Sequence, residues 1–384
     1  MNKQKQLTEI HKSGKSYIIY KSKKGFDLYT NFSKKIILDN KNIKTFLEKK
    51  YKNKSKSTDL FIGFFGYELL NNLINVKIPK QKNVNFPKGI FYKPEKKISL
   101  NNNLNYKSSQ IFKNKNFKIN INKNSYTKIF NRFLKKIKKG ETYQIKICTK
   151  YKTKSKINPL DFFSRLSKTN LAPEAFMIKD RNYSIISCSP ENLITKKGSL
   201  ITTKPIAGTV KKNKKMNKAR ALSFFKKNLK ETKEHNMIVD MERNDLSHIC
   251  KVGSVKLSSA KIVEEYKDLF HYVSLIKGKL KKNVKNIDII KAMMPGGSVI
   301  GCPKISTLNL LNNQEKENRN IYTGSFGYIK FNGDMRFNII IRSILNFKNF
   351  SEISVASGVV VDSNAKHEFN ENYIKAKALI DLFK

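Results

Sequence analysis

Residues 321–361 read IYTGSFGYIKFNGDMRFNIIIRSILNFKNFSEISVASGVVV. Short apolar runs alternate with polar residues and are punctuated by Gly324, Gly327, Gly333 and Gly358, a pattern that predicts several strands. A helix is predicted immediately afterwards, over 366–383, with apolar positions at Phe369, Tyr373, Ala376 and Ile380. Working back from this stretch, 263–279 and part of 218–250 read as helices. Residues 172–195 read as two strands carrying Cys188-Ser189-Pro190-Glu191. A helix over 124–139 leads through Gly140 into a strand over 142–149. Before residue 120 the chain is rich in Lys and Asn, with strand-like alternations at 16–20 and 60–65, and 101–116 reads as a flexible connection. Strands and helices do not alternate strictly. The expectation is therefore an α+β fold with antiparallel sheets, not a doubly wound one.

The chain has 384 residues, enough to bury a large core without disulfides or metal staples. Hydrophobic residues make up 39% and aromatics 11%, a composition that fits a folded globular protein rather than a disordered one. The first residues lack the apolar segment of a signal peptide, and the apolar run near 60–70 is broken by Glu68. A cytoplasmic protein that does not span a membrane is expected. Cys148, Cys188, Cys250 and Cys302 are scattered and form no CxxC pair, which argues against the usual zinc spacings and for reduced thiols.

Lys plus Arg total 78 against 29 Asp plus Glu, a formal net charge of +49. Such a balance suits nucleic-acid binding. The lysines, however, are spread along the whole chain among many Asn and Ile, as codon drift in an AT-rich genome would leave them, and no groove-reading motif is present. Nucleic acid is therefore not the expected partner. The field would still draw in anionic small molecules.

In a chain so poor in acids, clustered carboxylates are informative. Glu231 and Glu234 lie three apart on a predicted helix, and Glu368 and Glu371 repeat that spacing on the last one. Two such helices face to face would offer oxygen ligands suited to Mg²⁺; solvated helix faces are the bland alternative. His271 is read on the apolar side of a helix, either a core histidine or an acid/base group, and His235 is equally ambiguous. Three glycine-rich segments, 204–209, 294–304 and 355–359, match neither a GxGxxG turn nor a Walker-type loop. Their backbone N–H groups could hold carboxylates, with Lys304 and Arg342 pairing from the side.

Taken together, these segments resemble the chorismate-utilising enzymes, which include component I of anthranilate synthase, component I of aminodeoxychorismate synthase, and the isochorismate and salicylate synthases. The resemblance rests on Ser189-Pro190-Glu191, 205–209 (PIAGT), 231–246 (ETKEHNMIVDMERNDL), 271–274 (HYVS), 295–304, 322–328 (YTGSFGY), 339–343 (IIIRS) and 358–371, in that order. It covers 121–384 as the chorismate-binding catalytic region. Residues 1–120, which match only around 63–69 (GFFGYEL), would be a divergent part of the same fold. The resemblance implies a large antiparallel, β-sandwich-like core surrounded by helices.

It also implies roles. Glu231, Glu234, Glu368 and Glu371 would form the Mg²⁺ site, with Glu234 and Glu371 as direct ligands anchoring the ring carboxylate of chorismate. Tyr322, Arg342 and the Ala356-Ser357-Gly358 turn would hold the substrate carboxylates, and Gly208 and Thr209 would line the same pocket. Glu191 would protonate the departing 4-hydroxyl, and His271 would serve proton transfer during pyruvate elimination. Gln144 stands where water-using members carry a lysine base, which implies ammonia as the nucleophile. That ammonia would come from a separate glutamine amidotransferase subunit, since the cysteines lack a Gly-x-Cys-x-Gly elbow. Pro295-Gly296-Gly297-Ser298 and the lack of a Leu-Leu-Glu-Ser motif point to the aminodeoxychorismate-forming, para-aminobenzoate type. Ala207, where many of those enzymes have a nucleophilic lysine, points to the anthranilate-forming type; Lys146 and Lys204 are the candidates for another nucleophile. Ser357 in place of a usual glycine, and Ser306-Thr307-Leu308 where a basic residue is common, also depart from the pattern.

Overall fold

The computed structural model describes residues 3–78, 86–108, 116–213, 215–266 and 269–384. Among these, eighteen strands join through antiparallel pairings into one continuous sheet that curls into two facing halves. One half runs from Gln144–Lys154 through Phe350–Val359, Ser343–Phe347, Tyr183–Ser189 and Glu174–Lys179 to Tyr17–Lys21. The other runs from Leu60–Phe65 through Ser325–Lys330, Met335–Ile339, Asn192–Lys197 and Leu200–Lys204 to Leu269–Lys279. The long strands Phe26–Leu38 and Gly89–Leu100 pair with each other and carry the chain from one half to the other.

The alternation of side chains explains the layering. In Leu60–Phe65 every residue is buried: Leu60, Ile62 and Phe64 point into the space between the halves, whereas Phe61 and Phe65 point out into a helix-covered core. The inner layer is aromatic, with Phe176 and Phe326 stacked at 3.7 Å between ring centroids. Outside one half lie the helices Lys123–Lys138, Leu229–Ile249, Asn286–Met293 and Lys304–Gln314. Outside the other lie Lys3–Lys12, Pro159–Thr169 and Ala365–Ile380. The α+β, sandwich-like expectation holds. No helix among the described residues is long and apolar enough to cross a membrane.

Several local expectations are corrected. Residues 263–279 are not a helix: they are the end of the strand Lys256–Glu265 and the strand Leu269–Lys279, paired antiparallel. Most of the second strand is buried, so its apolar run hid the two-residue period. Residues 172–195 hold three strands, since Asn192–Lys197 begins just after Pro190-Glu191. The helical stretch over 218–250 is two helices, Lys218–Lys227 and Leu229–Ile249. Asn228 ends the first and caps the second, its side chain accepting from the Glu231 N–H at 3.2 Å. On Ala365–Ile380 the buried face carries Glu368, Asn372, Ala376 and Leu379, leaving Tyr373 half exposed. In the connection 101–116, Leu104 is buried and the Ser108 N–H bonds to Asp161, so its first half is pinned; 109–115 lie outside the described residues.

Candidate active site

A cavity of about 460 Å³ opens where the two halves of the sheet approach the N-terminal turns of Leu229–Ile249 and Ala365–Ile380. It brings together nearly all of the residues singled out in the sequence. Glu191, His271, Gly208, Thr209, Tyr322, Arg342, Ala356 and Gly358 line it, together with Glu231, Glu234, Glu368 and Glu371. Local chemistry puts them there. Asn364, like Asn228, caps its helix, accepting from the Lys366 and His367 N–H groups at 3.0 and 3.2 Å. Both glutamate pairs therefore sit in the first two turns, where the helix dipole favours negative charge.

Gly208 lies at an irregularity in the strand Ile206–Lys211 with φ +85°. A Cβ there would fall 2.7 Å from the Phe225 ring and 3.0 Å from Glu231 Oε2, so glycine is what lets Glu231 reach the cavity wall. His271 pairs with Thr209 across the strands, and its Nδ1 lies 2.9 Å from Thr209 Oγ1. Burial, aided by the charge of Arg342, pushes the imidazole down to about 4, so it is neutral at physiological pH. His235 does not line the cavity: it is fully buried, with Nε2 2.7 Å from Ser274 Oγ.

Glu191 occupies the turn between Tyr183–Ser189 and Asn192–Lys197. Burial raises its carboxyl to about 7, while the Ser298 hydroxyl, donating to Oε1 at 2.6 Å, and Lys146 pull the other way. Glu234 behaves oppositely. Lys146 lies 3.0 Å from its Oε1 and Gln144 Nε2 donates to the same oxygen at 2.9 Å, holding the carboxyl at about 2. For Glu371, burial opposes ionisation, but Lys375 at 2.6 Å outweighs it and keeps the group below the usual range. The cavity thus holds one carboxyl poised near neutrality and others firmly ionised, a division suited to acid catalysis beside cation binding.

Arg342 has φ 52°, a left-handed conformation that costs a non-glycine residue energy and aims its guanidinium at the cavity. Among the described residues no carboxylate pairs with it. The arginine is ready for an anion.

Three expected site residues stand elsewhere. Lys304 is not on the cavity wall; its ammonium is engaged by Asp245 at 2.7 Å and the Ala292 carbonyl at 2.8 Å, joining two helices. Ser357 is fully buried behind the wall, donating to Asn372 Oδ1 at 2.9 Å. Gln144 also lies behind the wall, where its side chain donates to Glu234 Oε1. Conversely, Ser298, Lys375 and His367 line the cavity without having been picked out for it. His367, Glu368 and Glu371 present ligand atoms within 4.8 Å of one another. Arg319, fully buried, pairs with Glu315 at 2.6 Å, donates to the Lys146 carbonyl at 3.1 Å and stacks between Tyr67 and Tyr322. It braces the wall from behind. Of the two candidate lysines, Lys146 reaches the cavity and Lys204 pairs instead with Glu264.

The family model described as chorismate binding enzyme matches residues 3–381. Aminodeoxychorismate synthase component 1 of Bacillus subtilis is 35% identical over 65% of this chain and 54% of its own length. The anthranilate synthase component I-like protein of Synechocystis is 30% identical over 83% of this chain and 72% of its own length. Against several curated relatives, then, the chain spans only about half of their length. Among solved structures, anthranilate synthase component I from Streptococcus pneumoniae superposes with a TM-score of 0.76 at 25% identity, covering 95% of this chain and 90% of that one. The menaquinone-specific isochorismate synthase of Escherichia coli shares the fold, with a TM-score of 0.75 at 15% identity over 96% and 89% of the two chains.

Proposed function

Because this chain belongs to the chorismate binding enzymes, we propose that it aminates chorismate in a Mg²⁺-dependent reaction, as the ammonia-using component of an aminodeoxychorismate synthase. The observation that carries the reading is Glu191: a buried carboxyl near neutrality that faces the same cavity as the ionised Glu234 and Glu371 and a cationic arginine. Amination at C4 needs those features together. The 4-hydroxyl must leave as water and therefore needs a proton, and the two substrate carboxylates need positive charge.

The donor set fits a hard divalent cation: four carboxylates on two helices, in a cavity large enough to leave room for water. Glu234 and Glu371 would hold Mg²⁺ with Glu231 and Glu368 beside them, and the bound ion would supply positive charge for the ring carboxylate. Tyr322 and Arg342 orient the other carboxylate. Glu191 gives its proton to the leaving hydroxyl. Gln144, an amide that cannot serve as a base toward water, supports ammonia as the nucleophile, delivered by a glutamine amidotransferase partner.

Ala207 favours a second reading. It lines the cavity, and a methyl group cannot form the covalent adduct at C2 through which lysine-bearing relatives would direct nitrogen to C4. Ammonia attacking C2 directly, with the ring double bonds shifting and the 4-hydroxyl leaving as water on the Glu191 proton, followed by pyruvate loss with His271 moving the C2 proton, would give anthranilate. Chromatography separates the two readings. With chorismate, Mg²⁺ and ammonium salt, the first predicts a product that keeps its enolpyruvyl group and yields para-aminobenzoate only after a lyase is added. Fluorescent ortho-aminobenzoate with free pyruvate and no second enzyme would overturn it in favour of the second.

A further inference from the structure

Lys146 meets the proposed metal ligands inside the cavity. The strand Gln144–Lys154 turns Gln144 and Lys146 to one side, and both converge on Glu234 Oε1, at 2.9 and 3.0 Å. The space for that ammonium is provided across the strands by Gly358, the register partner of Lys146. A Cβ on Gly358 would stand 3.0 Å from Lys146 Nζ and 2.8 Å from Gln144 Nε2. The ion pair is sheltered, with side-chain exposures of 12% for Lys146 and 25% for Glu234. The same ammonium lies within electrostatic reach of Glu371 and Glu191, between the two glutamate-bearing helices. Lys375 is different: besides Glu371 it donates to the Ala356 carbonyl at 3.0 Å, which tethers it to the sheet. Among the described residues, the hydrogen bonds of the Lys146 ammonium go to Glu234 alone.

We propose that Lys146 is a resident cation that competes with the metal ion for Glu234 and moves toward the substrate when the ion binds. This rests on reading Glu234 as a metal ligand. A magnesium ion sits about 2.0–2.1 Å from its oxygens. An ion on Glu234 would therefore lie within a few ångströms of the ammonium, and two cations so close in a sheltered site repel strongly. On its long stem the ammonium is displaced into the cavity, where it joins Arg342 in facing the substrate carboxylates. Metal binding alone is weakened by the displacement, and an arriving dianion restores what the displaced charge lost. Metal and substrate binding are thereby coupled, each strengthening the other.

The test measures the binding of Mg²⁺ alone, by calorimetry on the purified protein without substrate. Lys146→Met removes the charge but keeps the length of the stem, and it is expected to tighten Mg²⁺ binding at least tenfold, about 1.4 kcal/mol. Lys146→Arg keeps the charge and should bind as weakly as the wild type. Measurable but equal affinity in wild type and Lys146→Met overturns the proposal and leaves the metal reading standing, as does tightening of the same size in both variants. If folded wild type and Lys146→Met both fail to bind Mg²⁺, the metal reading of Glu234 falls and the proposal falls with it.

Discussion

Replacing Glu191 by Gln should make the protein more stable and less active at the same time. The carboxyl is raised from its ordinary 4.5 to about 7, and burial is the dominant cause. A group bound more tightly to its proton in the folded state favours folding at low pH and loses that contribution as pH rises through its folded value. Below pH 4.5 the acid is neutral in both states, and the wild type and the Gln variant should differ little. Between 4.5 and 7 the unfolded chain releases its proton first, and above 7 the wild type must bury a carboxylate. With 1.36 kcal/mol per pH unit, the full difference approaches about 3 kcal/mol in favour of Gln. The amide oxygen can still accept the hydroxyl proton of Ser298, so little is lost in exchange. Catalysis should move the other way, by roughly 10²–10⁴-fold, because the amide has no proton to give to the leaving hydroxyl. The assay is thermal unfolding of both proteins from pH 4 to 9, with turnover measured alongside. A stability difference independent of pH, or a Gln variant less stable than wild type above pH 7, would refute the buried-acid argument.

Other outcomes follow from the same geometry. Glu234→Gln and Glu371→Gln should each cost at least about a hundredfold in turnover, since outer-sphere partners of metal ligands already cost about 10–100-fold and a direct ligand should cost more, with the fold intact by circular dichroism. Activity within a few-fold of wild type in both would make them surface acids. Gly208→Ala should lower the urea midpoint, with about 1–2 kcal/mol from the left-handed backbone alone and more from contact with Phe225 and Glu231; an unchanged midpoint contradicts it. Because His271 is depressed to about 4, it is already neutral where an ordinary histidine would titrate. The kcat/KM profile should then show no histidine-dependent limb between about pH 5 and 6.5, and a limb abolished by His271→Met would contradict that.

The fold class was legible because the apolar runs of 321–361 keep their turns in view. The helix misread at 263–279 was not, because most of Leu269–Lys279 is buried and a strand covered on both faces loses its alternation. The glutamate pairs stood out against a background poor in acids, and glycine at 208 and 358 marked real close approaches. The lysines could not be sorted the same way. With 78 basic residues in the chain, nothing distinguished Lys146, beside Glu234, from Lys304, which joins two helices through Asp245. The asparagine caps at Asn228 and Asn364, which position the glutamates, were likewise hidden in an asparagine-rich composition. The Ser298–Glu191 bond joins residues 107 apart, and no local pattern announces it.

The account turns on nitrogen entering chorismate in this cavity. The most direct measurement is mass spectrometry of the product made from chorismate and Mg²⁺ with isotopically labelled ammonium, run beside a reaction in labelled water without ammonium. The account predicts one labelled nitrogen in the product and no product in the ammonium-free reaction. Labelled oxygen in an isomer of chorismate, formed equally well without ammonium, would contradict it.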